Sequence, residues 1–130
     1  MKNAKGFTFV EAIVVGVIVA ILAVVAIPSY TAYVKSAQIS SAQSICQLIG
    51  AAIIQTHNRG ISFTANDWTD IGITNPSNTT WSYTFPALTA STQLTNTFAI
   101  TATGLSGSLN GQTGTFLPLQ TGTAQWTGIL

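Results

Sequence analysis

Few side chains in this sequence can do chemistry, and Glu11 stands apart because it lies inside the apolar run FTFVEAIVVGVIVAILAVVAI from Phe7 to Ile27. An ionisable group in such a run needs a reason to be there and a partner that can be named. A cut between Gly6 and Phe7 would supply one. The new amino group of Phe7 would then lie about one helical turn from Glu11, at the i to i+4 spacing that puts two groups on one face. The chemistry on offer is charge neutralisation, within a subunit or between neighbours, as both groups leave water. The alternative is a carboxylate held at the headgroup level, since side chains near helix ends reach the interface at modest cost.

The other ionisable groups make a poor catalytic set. An acid–base pair would have to join His57 to Asp67 or Asp70 with no motif behind it, and Ser and Thr are too abundant for one to stand out as a nucleophile. His57 near a helix carboxyl end is more simply a surface residue compatible with the helix dipole. The segment GLSGSLNGQTG from Gly104 to Gly114 lacks a P-loop lysine and does not lead from strand to helix. Asn66, Asp67 and Asp70 raise the idea of calcium. Two acids are few for an ion that takes roughly six to eight oxygens, and the EF-hand spacing is absent. The sequence points to a non-enzyme with no catalytic residue, metal or cofactor.

The elements that must position Glu11 follow from the run itself. Its 21 residues make about 31 Å of helix, close to the roughly 30 Å hydrocarbon thickness of a bilayer. Fourteen of them are Val, Ile, Leu or Phe. Together these favour insertion by about 4 to 8 kcal/mol, against about 2.5 to 3.5 kcal/mol for one acid. Insertion survives Glu11. Ala12, Gly16 and Ala20 recur every four residues, with Ala23 close to the same face, a spacing that lets membrane helices approach closely and is also common in spanning helices generally. Pro28 predicts a kink or local loosening around Val24 to Pro28, a bend and not an end. Tyr30 and Tyr33 fall at the water boundary, where rings with a polar tip are favoured.

Beyond Pro28, Val34, Ala37, Ser41, Ile45, Leu48 and Ala52 recur at spacings of three and four, with Cys46, Ile49 and Ile53 widening the stripe. The helix should stop at Asn58, Arg59 and Gly60, the glycine suited to a left-handed cap. Residues 61–80 form a connecting loop with a short turn at Asn66 to Ile71. From Trp81 the period becomes two. Strands are expected at Trp81 to Phe85, Thr97 to Thr103, Thr115 to Leu119 and Ala124 to Ile129, with Phe98, Ile100 and Ala102 facing the helix. Pro86 and Pro118 belong at strand ends or edges. Asn110-Gly111 signals a tight turn inside a flexible, exposed loop.

The chain of 130 residues has a formal charge of +1, with Lys2 and Lys5 ahead of Gly6. Without those two lysines, Lys35 and Arg59 face Glu11, Asp67 and Asp70, and the side chains sum to −1. Lys2 and Lys5 place the amino end on the cytoplasmic side by the positive-inside rule. So charge-poor a surface argues against direct binding of nucleic acid, which needs clustered Lys and Arg. It favours association with like surfaces. The lone Cys46 cannot form an internal disulfide.

The leader MKNAKG, the FTFVEA that follows it and the apolar helix together resemble the precursor of a type IV pilin, or of the related pseudopilins of type II secretion. Pro28, Tyr30 and Tyr33 in IPSYTAYV also fall where many members carry Pro and Tyr. The likeness covers about the first 35 residues. It implies an α+β pilin-like fold: a long kinked amino-terminal helix, membrane-spanning in its first half, packed by its second half on a three- to four-stranded antiparallel sheet. The expected organisation is a prepilin leader over 1–6, a transmembrane and filament-core segment over 7–29, and a globular head over 30–130.

The resemblance further implies that a prepilin peptidase cuts after Gly6, that Phe7 is N-methylated, and that Glu11 guides subunits into a helical homopolymer. Inner-membrane assembly machinery is the implied partner, and Ala12, Gly16, Ala20, Tyr30 and Tyr33 would pack between subunits. The precursor would reside in the inner membrane, and the product would be an extracellular pilus for attachment, motility or DNA uptake. As a pseudopilin it would be periplasmic; the lack of acids after Asp70 departs from the calcium site of many major pseudopilins. Many type IV pilins close a carboxy-terminal loop with two cysteines, and this chain has one. A third reading is a single-pass anchor carrying a binding domain that never polymerises.

Overall fold

The computed structural model describes residues 6–91, 98–118 and 125–128. One helix, α1 (Phe9–Asn58), is followed by four strands, β1 (Trp81–Thr84), β2 (Ile100–Gly104), β3 (Thr113–Leu117) and β4 (Gln125–Thr127). The chain divides into two compact units, Met1–Ser36 and Ala37–Leu130.

The first unit is the amino-terminal part of α1. The helix runs through Pro28 without a break. Proline removes the amide that would bond the carbonyl four residues back. Around it, Ser29 Oγ donates to the Val25 carbonyl at 3.2 Å and Thr31 Oγ1 to the Pro28 carbonyl at 2.9 Å. All fourteen Val, Ile, Leu and Phe side chains from Phe7 to Ile27 are exposed, the least of them Val15 at 48 %.

The second unit is an α+β sandwich of the remaining helix and the sheet. Strand order is β1-β2-β3-β4, every pairing antiparallel, so each strand lies beside its neighbour in sequence. Tyr83 pairs with Ala102 and Ala102 with Gly114, while Ile100 pairs with Phe116. The period of two places Trp81, Tyr83, Ile100, Ala102 and Phe116 on one buried face. Phe98, Ile100 and Ala102 are buried there as expected. Pro86 follows β1 and Pro118 follows β3, at strand ends. Expected strand positions Thr97, Leu119, Ala124 and Ile129 lie outside the described residues.

One expectation is corrected. The helix stripe that meets the sheet is Ala42, Cys46, Ile49, Gly50, Ile53 and Thr56, whereas Ser41 and Leu48 are exposed. The buried face lies roughly 100° around the helix from the expected one, centred on residues taken only as its margin. Close approach decides it. A Cβ on Gly50 would stand 3.0 Å from both Phe116 Cε1 and Pro118 Cβ, so the small residues mark where the backbone meets the sheet.

The loop after β2 is exposed over residues 105–108 and 110–111, as expected, but is anchored by one side chain. It holds a 3-10 turn at Gly107–Leu109 whose Leu109 is fully buried. Gly104 permits this, since a Cβ there would lie 2.1 Å from the Leu109 carbonyl oxygen. Asn110 (φ −56, ψ 124) and Gly111 (φ +75) then make a type II turn closed by Gln112 N–H to the Leu109 carbonyl at 2.9 Å.

The 59–80 connection is fixed by local bonds at its start and by bonds to the 85–88 segment further along. Gly60 (φ +73) caps α1 with paired bonds, Ile61 N–H to Thr56 O at 3.3 Å and Gly60 N–H to His57 O at 2.9 Å. Asn66, at φ +59, accepts the Phe85 N–H on its side-chain oxygen at 2.8 Å and donates its own N–H to the Phe85 carbonyl. Phe63 pairs with Leu88 as an isolated bridge, and its ring meets Phe85 and Phe98 edge-on.

Candidate functional site

Thr8 begins α1 and explains how Glu11 is held. The Thr8 hydroxyl accepts the Glu11 N–H at 3.3 Å, and Glu11 Oε2 accepts the Thr8 N–H at 3.4 Å and the Thr8 hydroxyl at 3.3 Å. This reciprocal arrangement is a capping box, in which residues three apart satisfy two of the amides that a helix leaves without partners. The spacing Thr8-Phe9-Val10-Glu11 carries this signal in the sequence, and a reading of Glu11 as an acid in a membrane run does not use it. Its place in the first turn also sets the carboxylate at the positive end of the helix dipole.

Gly6 and Phe7 precede the helix and are exposed, Phe7 at 71 %. Phe7 is here joined to Gly6, so its nitrogen is an amide and carries no charge. Ala12, Gly16 and Ala20 all face open space, and a Cβ on Gly16 would meet nothing within 4 Å. Tyr30 and Tyr33 are 70 % and 73 % exposed. The helix window of highest mean hydropathy, 3.0, is not buried at all. A core helix of a soluble protein with that composition would be covered by its own domain. This one is long and apolar enough to cross a membrane, by length and composition.

In the second unit the perturbed titratable groups are Cys46, Tyr83 and Asp67. Cys46 is fully buried, and burial pushes its thiol up to about 12. Tyr83 is raised to about 12, by burial first and by Cys46 second. Asp67 is held below the usual carboxylate range by the Thr69 hydroxyl at 2.6 Å, helped by the Asp70 and Thr69 amides. Asp70 accepts the Thr64 N–H at 3.2 Å. His57 Nδ1 is buried without a hydrogen-bond partner, so no acid–base pair of His57 with Asp67 or Asp70 is assembled through that atom. Among the described residues no three His, Cys, Asp or Glu side chains cluster as metal ligands would.

Comparison with known proteins gives one informative likeness. The chain is 36 % identical over 76 residues to a fimbrial protein of Moraxella nonliquefaciens, an alignment covering 55 % of this chain and 49 % of that protein. The chain thus spans about half the length of the curated relative it matches. No family model matches, and no solved structure matches. A long amino-terminal apolar helix followed by a small antiparallel sheet is a pilin-like order of elements, in keeping with that likeness.

Proposed function

We propose that the chain is a structural subunit of a type IV pilus-like filament, made as a membrane precursor and polymerised through its amino-terminal helix. One observation carries the reading: thirteen large apolar side chains uncovered from Phe9 to Ile27 on a single helix that holds one carboxylate in its first turn. Such a surface needs a solvent other than water, and the same helix suits first a bilayer and then the centre of a polymer.

In this reading a prepilin peptidase cuts between Gly6 and Phe7, and the amine of Phe7 is methylated but stays basic. The cut replaces a neutral amide by a cation beside the capping box. Glu11 then meets a positive terminus, its own or a neighbour's, as the helix moves out of lipid. Ala12, Gly16 and Ala20 let helices approach, Pro28 gives the helix a place to bend, and Tyr30 and Tyr33 pack between subunits above the membrane. Lys2 and Lys5 hold the leader on the cytoplasmic side, so the second unit lies outside. The role is structural and not enzymatic.

The test is electron microscopy of sheared surface material with mass spectrometry of its protein. Fibres whose subunit begins at methylated Phe7 are expected. An intact Met1 with no fibres would reject the proposal.

A further inference from the structure

The Ala37–Leu130 unit carries only three formal charges, Arg59, Asp67 and Asp70. Among the described residues none of the three makes an ion pair. Arg59, Gln55 and Asn58 line an open groove of about 810 Å³ together with the apolar Leu48, Ala51, Ala52, Ile54 and Ile73. Leu48 is 56 % exposed, a large side chain left uncovered on a helix that buries its other face against the sheet. Ile73 also borders the neighbouring depression that holds Asp67. Asp67 uses Oδ1 for its turn, and Asp70 uses Oδ2 for Thr64. Each carboxylate therefore keeps a second oxygen for an outside cation.

Resting on the filament reading above, we propose that this groove receives the 67–70 turn of a second copy of the chain, with Arg59 meeting Asp67 or Asp70 of that copy. The charge inventory restricts the occupant. Within this unit the only oppositely charged side chains are Arg59 and the two aspartates, so an ion pair between two such units joins Arg59 of one to Asp67 or Asp70 of the other; Lys35 and Glu11 belong to the first unit. The apolar part of the lining excludes water from the contact and so strengthens it, while the scarcity of charge elsewhere leaves few competing registers. Groove and turn adjoin at Ile73, which borders both, and the contact seats the turn of one copy in the groove of the next.

The test uses full-length chain in cells, with filaments counted after shearing and processed subunit quantified in the membrane. Arg59→Glu or Asp70→Lys alone should lower filament yield about tenfold, since like charges then face each other in the contact. The double variant Arg59→Glu with Asp70→Lys should recover most of the yield. In a second measurement, cells making both an Arg59→Cys and an Asp70→Cys subunit should give disulfide-linked pairs joining the two, and cells making either alone should not. Filaments from wild type with normal yield in both single variants and no mixed cross-link would overturn this contact and leave the filament reading standing. Absence of filaments from wild type itself would instead remove the filament reading.

Discussion

Thr8 and Glu11 cap the long helix reciprocally, hydroxyl to amide at 3.3 Å and carboxylate to amide at 3.4 Å. The acid proposed to guide assembly is thus also part of the helix end. Removing the Thr8 hydroxyl should cost about 1 kcal/mol, typical for loss of an amino-terminal cap. Thr8→Ala in micelles is expected to speed amide exchange in the first turn about fivefold, with thermal unfolding of the sheet unit unchanged. Exchange equal to wild type would show that the box contributes nothing.

Gly104 and Gly50 differ in how close the facing atoms come, and the two substitutions should rank accordingly. A Cβ at Gly104 meets backbone at 2.1 Å, whereas one at Gly50 meets side chains at 3.0 Å. Gly104→Ala is expected to cost about 3 kcal/mol, by forcing Leu109 out of the core. Gly50→Ala should cost about 1 kcal/mol, because alanine's higher helix propensity offsets part of the overlap. Chemical denaturation of the two variants checks the order.

Ionisation on the alkaline side should also destabilise the second unit. Cys46 and Tyr83 are both raised to about 12 when folded, from 9.0 and 10.0. The unfolded chain therefore releases those protons first, and between pH 9 and 12 it binds fewer than the folded one. Stability is complete below pH 9 and falls as pH rises, by about 1.4 kcal/mol per pH unit for each group whose unfolded form has ionised. Cys46→Ala with Tyr83→Phe should flatten that slope. Native protein should also resist thiol reagents at pH 8 and react once unfolded, since only the thiolate attacks.

Much of the architecture could be read from residue types alone. The change from a period of three and four to a period of two at Trp81 located the sheet, and Gly60 located the end of the helix. What could not be read was which way the helix faces. Ile45, Leu48 and Ala52 form as good a stripe as Cys46, Ile49 and Ile53, and periodicity does not choose between adjacent faces that are both apolar. The sheet chooses, by needing Ala42 and Gly50 where its own side chains are large. Leu109 was hidden for a related reason, because one apolar residue among glycines and serines has no period. For the candidate site, the unusual position of Glu11 was plain and its local partner Thr8 was overlooked.

The central claim is that Glu11 serves transfer of the helix from lipid into a polymer. Its most direct test compares Glu11→Ala with wild type in the same cells, counting surface filaments while quantifying cleaved subunit in the membrane. Loss of filaments with cleaved subunit still present at wild-type amount is the expected result. Undiminished filaments bearing Ala at that position would contradict it.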